Sequence, residues 1–277
     1  MIVQKLPLHF AKFAVTLFLG LFASLFYTQQ LQAKPLQASE RQDLPVSDYL
    51  NREFHPPKRG SPVTTSAGGS RGCIIGEESP AVALIPADHL ALTTKADPML
   101  LWYISQDAVQ SARTLIFKIK DRDDSRTLYK TTIPLPTRAG IVSLSLDVAP
   151  EASLLRAGEM YHWYLIMDCD PKDPSANIFI DGWFERVDPA SIPVNPGSTL
   201  AAALEGASLP ERFSLYARTG IWHDALETLV ELRRAQPNNA VVRAGWNQLL
   251  ASVGLGQLSA APLLDPPTSP PKTQADR

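Results

Sequence analysis

Between Arg71 and Val187 apolar positions recur at every second residue in short runs. Leu115, Phe117 and Ile119 share one face of an extended chain, with Thr114, Lys118 and Lys120 opposite. Val142, Leu144 and Leu146 alternate with Ser143 and Ser145 in the same way. A period of two is the signature of a half-buried strand. The runs predict strands over Arg71–Ile75, Ala81–Ile85, Leu90–Thr94, Met99–Ser105, Ala112–Asp121, Arg126–Ile133, Gly140–Leu146, Met160–Asp168 and Ile178–Val187. Asp123-Asp124-Ser125 marks a turn between two of them. Many short strands at this spacing predict a β-sandwich rather than helices alternating with strands.

One stretch sharpens this expectation. Leu155, Gly158 and Tyr161 have the L-x-x-G-x-x-Y spacing of a tyrosine corner, followed by Trp163 and Leu165. In such a corner the ring enters the core and the hydroxyl bonds back to the chain. The expected class is therefore an immunoglobulin-like or fibronectin type III-like sandwich. Strand parity then sorts the side chains. Tyr161, Trp163, Leu165, Met167 and Cys169 point inward with Ile178, Ile180 and Phe184. His162, Tyr164, Asp181 and Trp183 point outward and share a face too aromatic to be left bare.

After Asp188 the period changes. Ser208 and Glu211 form a capping box with Pro210 in the first turn, predicting a helix over Leu209–Thr219 that Gly220 ends. Trp222, Ala225, Leu226, Leu229, Val230 and Leu232 repeat at helical spacing to about Ala235. Pro237-Asn238-Asn239 breaks this helix and caps a third through Val242, Trp246, Leu249, Leu250 and Val253, ended by Gly254. Tyr216, Gly220, Ala225, Leu229 and Pro237 fall where a tetratricopeptide repeat places such residues; Phe213 departs from it. One repeat cannot bury its own faces. The outer face of His162, Tyr164, Asp181 and Trp183 is thus the candidate interface for these helices.

The ends read differently. Residues 1–33 have a basic start (Lys5, His9, Lys12), an apolar run from Phe13 to Tyr27 and a small residue at Ala33. This is the pattern of a signal peptide, too short to span a membrane comfortably. Cleavage makes the protein exported, periplasmic or secreted; without cleavage the segment becomes its sole membrane contact. Residues 34–70 are rich in Pro, Ser, Thr and Gly and are expected to be a disordered linker. The sandwich is expected over 71–187, a short linker over 188–198, the helical unit over 199–257 and a disordered Pro-rich tail over 258–277. A net charge of −2 without a Lys/Arg run gives no phosphate-tracking surface, which argues against nucleic acid.

Candidate chemistry is sparse. Asp168, Asp170 and Asp173, with Asp181 beyond, offer oxygen ligands of the kind Ca²⁺ takes. The array lacks the Gly and closing Glu of a helix–loop–helix calcium site, and the competing reading is a turn whose carboxylates bond local amides. Past the leader the histidines are His55, His89, His162 and His223, and no hydrolase, zinc, redox or phosphate-loop motif accompanies them. His162 and Cys169 have opposite parity and lie about 20 Å apart along one strand. Asp181 and Glu185 lie about 13 Å apart, beyond the reach of a glycosidase pair. No catalytic residue and no cofactor is expected. What remains is a non-catalytic interaction or scaffolding module whose partner is an envelope protein. A carbohydrate-binding module, stacking a sugar on Tyr164 and Trp183, is the alternative, and an envelope enzyme comes third.

Several segments together resemble a known family. They are Arg71-Gly72-Cys73-Ile74, Ala83-Leu84-Ile85-Pro86, Gly140-Ile141-Val142-Ser143-Leu144, Tyr161-His162-Trp163-Tyr164, Gly182-Trp183-Phe184-Glu185-Arg186-Val187 and Gly220-Ile221-Trp222-His223-Asp224-Ala225-Leu226. With these residues the chain resembles the cyanobacterial domain of unknown function 928 family. The resemblance implies a cyanobacterial exported protein and carries no activity with it.

Cys73 and Cys169 are the whole cysteine complement. In an exported chain the simplest expectation is that they pair; two separate buried thiols are the alternative. Closing a loop of roughly a hundred residues stabilises by on the order of 4–5 kcal/mol in the chain-entropy view. A thiol count on denatured, non-reduced protein is expected to find no free thiol and, after reduction, two per chain. Two free thiols without reduction refute the pairing.

Overall fold

The computed structural model describes residues 44–56, 79–146, 155–170 and 172–265. The expected signal peptide, Cys73, the strand over Arg71–Ile75 and the last residues of the tail lie outside them. The remaining expected strands form: β1 (Ala81–Ala83), β2 (Leu90–Thr93), β3 (Met99–Ile104), β4 (Thr114–Lys120), β5 (Thr127–Ile133), β6 (Gly140–Ser145), β7 (Met160–Asp168) and β8 (Ile178–Arg186). One sheet has the order β1-β3-β6 and the other β2-β8-β7-β4-β5. All neighbours are antiparallel except β2 and β8, which are parallel.

The inward parity holds. Trp163 and Phe117 of the five-stranded sheet meet Trp102 of the three-stranded sheet at ring distances of 5.7 and 5.3 Å. Two sheets packed through such rings are a sandwich around one apolar layer. Gly182 has a packing reason: a Cβ there would sit 2.5 Å from the Trp163 ring. The corner also closes as expected. The Arg156 N–H donates to the Tyr161 hydroxyl at 2.7 Å, and Gly158 takes φ 81° in the turn between them.

Among the described residues six α-helices accompany the sheets: α1 (Val46–Leu50), α2 (Gln106–Ser111), α3 (Leu200–Leu204), α4 (Leu209–Thr219), α5 (Trp222–Ala235) and α6 (Ala240–Ser252). The helix-pair prediction is met at both boundaries of α4 and α5. The Ser208–Glu211 capping box forms, and Gly220 ends α4 at φ 76°. Asn239 caps α6 by accepting from the amides of Val241 and Val242. The buried faces of α4, α5 and α6 join the sandwich in one continuous apolar core.

Three expectations are corrected. The segment expected as a disordered linker contains α1, and its Leu50 and Phe54 are buried in the core. Phe54 packs edge-on against Trp222 at 4.9 Å, and the His55 N–H donates to the Ala217 carbonyl. Two apolar anchors suffice here because the helices supply the rest of the surface, so no local period is needed. The 188–198 linker is structured, with a 3₁₀ turn at Pro189–Ser191 followed by a small hairpin of β9 (Pro193–Asn195) and β10 (Ser198–Thr199). The start of the expected disordered tail, residues 258–265, also packs. Ile141 exchanges backbone hydrogen bonds with Pro262 and Leu264, and Leu264 is buried against Gly140. The prolines there do not matter, because the pairing uses amides they do not carry.

The Phe54 finding is open to measurement. Phe54→Ala is expected to cost about 3 kcal/mol in denaturant unfolding, through a lower midpoint at unchanged slope. A change below about 0.5 kcal/mol would return this segment to the status of a linker.

Candidate functional site

The outer face of β7 and β8 brings the four predicted interface residues together. His162 pairs across the strands with Trp183, and Tyr164 with Asp181. The His162 ring stacks on Trp183 at 4.0 Å with the planes 11° apart. Its Nε2 lies 2.9 Å from Asp181 Oδ2, and its Nδ1 lies 2.9 Å from Asp124 Oδ2. The Tyr164 hydroxyl donates to the same Asp124 oxygen at 3.1 Å. Burial, then the Asp124 carboxylate, pushes the Tyr164 phenol well above its ordinary range. Asp124 comes from the β4–β5 turn at φ 55°, a conformation Asp tolerates better than most residues. Both ring nitrogens of His162 face carboxylates.

The helices do not close over this face, which corrects the docking expectation. Their contacts run to β2, to β3 and to the inner side of the sheet. The Trp222 indole donates to the Leu84 carbonyl at 2.7 Å. His223 meets the edge of Phe184, whose side chain points inward beside Tyr161. Arg234 donates to the Ser143 hydroxyl at 3.0 Å. Trp183 is nonetheless only 4% exposed, and it is no open strip for a sugar ring. Parity predicted the shared face correctly, but it carries no information about which side the helices take.

The docking itself rests on a buried carboxylate. Asp224, in the first turn of α5, accepts from the hydroxyls of Thr93 and Thr94 and from the Thr94 amide. Burial pushes its carboxyl up, against the pull of these donors. Beside it Lys95 and Glu227 pair at 2.7 Å. Burial acts to lower Lys95, yet the carboxylates of Glu227, Asp224 and Glu231 together outweigh it and the ammonium is held above its usual value. His223 is fully enclosed, and burial lowers it to about 4.

A groove of about 400 Å³ opens where these parts meet. Its walls are β1, the first half of β8 at Phe179–Asp181, the Ile85–Pro86–Ala87 loop, and the Val253–Leu255 turn after α6. The lining is mainly apolar, with Asp181 and His89 among its few polar groups. Phe179 is 39% exposed, although it is large and apolar. His89 holds φ 58°, and among the described residues its buried Nδ1 has no hydrogen-bond partner. A non-glycine residue in this region of backbone space costs energy that the surroundings must impose.

The calcium candidates do not converge. Asp170 accepts from the Lys172 amide, and Asp173 caps a 3₁₀ turn by accepting from Ser175. Among the described residues no group of three His, Cys, Asp or Glu is placed to hold an ion. Cys169 is buried just past the end of β7, while Cys73 falls outside the described residues. Sequence reasoning missed Asp124, Asp224, Phe179 and the special role of His89. Asp224 reads as an ordinary first-turn acid, and Asp124 as part of an ordinary turn. No periodic signal marks either.

A mixed protein of two packed sheets and a helical cap, with a groove between them, is the class these observations define. A family model described as Domain of Unknown Function (DUF928) matches residues 66–263, and the chain belongs to that family. No curated protein and no solved structure matches it.

The enclosed His223 gives a pH prediction. Its folded value of about 4 lies below the ordinary 6.5, so the native state binds fewer protons in that window. Its stabilising contribution is complete above the upper value and is lost as pH falls through the lower one. His223→Leu is expected to flatten the fall in stability between those two pH values by on the order of 3 kcal/mol, measured by denaturant unfolding. Parallel pH profiles for the two proteins would refute this.

Proposed function

We propose that this protein is a non-catalytic interaction or scaffolding module, exported to the envelope of a cyanobacterial cell, and that the groove is its binding surface. The observation that carries the reading is the exposed Phe179 beside a 400 Å³ apolar groove with only a few polar groups on its walls. Binding sites of this size and character combine apolar area for affinity with few polar groups for orientation. Its position between sandwich and helices suits a scaffold that presents one rigid surface. In finer detail the sandwich is immunoglobulin-like or fibronectin type III-like, supported by the Tyr161 corner. The helical part is tetratricopeptide-like, supported by the α4–α5 pair and its Gly220 turn. A Cys73–Cys169 disulfide would tie the sandwich to the segment ahead of it.

The carbohydrate-binding alternative required an open aromatic strip at Tyr164 and Trp183. Trp183 is instead stacked and enclosed, so no observation favours sugar over protein. An envelope enzyme needs a free base or nucleophile, and His162 spends both nitrogens on carboxylates.

A photo-crosslinking residue in place of Phe179, in the full chain expressed in its own host, tests the groove. It is expected to give a discrete light-dependent adduct. The same probe at the exposed Thr132 on β5 serves as the control. Equal adducts at both positions, or none at Phe179, would overturn the assignment of this surface.

A further inference from the structure

The groove has an unusual wall. β2 pairs with β8 only from Leu90↔Trp183 to Thr93↔Arg186. Ahead of that, His89 accepts from the Trp183 amide and the chain turns away at its positive φ. Among the described residues the first half of β8 therefore pairs on one side only, with β7. Trp183 and Val187 direct their amides to the β2 side, at His89 and Thr93, while the Arg186 amide bonds Glu159 ahead of β7. Hydrogen-bonding direction alternates along a strand. Phe179 and Asp181 consequently point their N–H and C=O groups into the groove.

Side chains add a second constraint. Phe179 and Asp181 lie on the same outer face of β8, two residues apart. Asp181 is 7% exposed, and its one hydrogen bond among the described residues goes through Oδ2 to His162. Asp181 also lines the groove. A carboxylate lining a largely apolar groove is best matched by a positively charged group on whatever enters it. Across the His162 ring Asp124 has Lys120 at 3.9 Å, and Asp181 is the carboxylate of the two that lines the groove.

From this we infer that the groove takes an extended peptide segment of a partner protein. The segment adds as a strand to the free edge of β8 and sets a basic side chain opposite Asp181. This rests on the reading of the groove as the binding surface and names the chemistry of its occupant. Backbone pairing with Phe179 and Asp181 gives register; side chains on alternate positions give selectivity. On the outer face the residue opposite Asp181 is Lys or Arg, and the one opposite Phe179 is apolar, because directly opposed side chains interact most. The residue between them faces inward beside Ile180 and must be apolar as well. The recognised pattern is apolar–apolar–basic in an extended chain.

Nuclear magnetic resonance on the full chain tests this with three capped hexapeptides. One is Thr-Val-Val-Lys-Val-Thr, and the others carry Gln or Glu at the Lys position. The Lys peptide is expected to shift the amide signals of Phe179 and Asp181, slow their exchange with solvent, and bind at least tenfold more tightly than the Glu peptide. Asp181→Asn is expected to keep peptide binding and remove the Lys preference. A thermal melt first establishes that this variant is folded; the Gln peptide on the unaltered chain gives the same comparison without a substitution. Equal binding of all three peptides, a preference that survives Asp181→Asn, or unmoved Phe179 and Asp181 amides would overturn the proposal. 1-Hexanol separates the two readings. If it shifts the groove signals while no peptide does, only the peptide assignment falls. If hexanol and peptides alike leave the groove unmoved, the groove reading falls with it.

Discussion

A single carboxylate determines how two unlike halves become one core. The first turn of α5 is buried against the sandwich edge, and Asp224 is enclosed there with Trp222 and His223. Removing a carboxylate from water costs several kcal/mol unless donors replace the solvent. Thr93 and Thr94 supply three, two from hydroxyls and one from an amide. The helix can approach β2 only in the register that satisfies all of them, so the contact sets geometry as much as energy. The Trp222 indole on the Leu84 carbonyl fixes the same helix end a second time. Phe54 then packs on the far side of Trp222, which draws α1 into the same core.

Once the helices are held there, the rest of the surface follows. α5 packs against β2 and β3, and the turn after α6 comes to rest near β1 and β8. Among the described residues no helix packs on the outer face of β7 and β8, which carries a polar stack of His162, Trp183, Tyr164, Asp181 and Asp124. That stack is made from both edges of the sheet: Asp124 reaches back from a turn, and Asp181 stands at the groove. The groove exists because β2 starts late. His89 bends the chain off the β8 edge, and among the described residues Phe179 and Asp181 have no strand beside them on that edge.

Much of this was legible in the residues. Alternation located the strands to within a residue or two, because one face of each is in the core and the other is not. The tyrosine corner was legible because its hydrogen bond is local, spanning only five residues from Tyr161 to Arg156. Helix ends were legible for the same reason: the Ser208–Glu211 box and the Gly220 turn act within one turn of chain. Segments that lean on distant partners were not. Leu50 and Phe54 are two apolar residues without a period, and Leu264 lies between Pro262 and Pro266; each is buried only because another element offers a site. Asp224 lies more than a hundred residues from Thr93 in sequence, and nothing near either residue announces the other.

The sequence by itself determined the long strands, the helices α4 to α6, their inward faces and the class of assembly, since these depend on short-range periodicity and local hydrogen bonds. Only the tertiary structure decided which face the helices cover, which carboxylates are enclosed, and where a strand edge is left unpaired. Parity divides side chains between two sides of a sheet without saying what packs on either. That choice is made by long-range complementarity between a buried Asp224 and a pair of threonines, and the groove is its consequence.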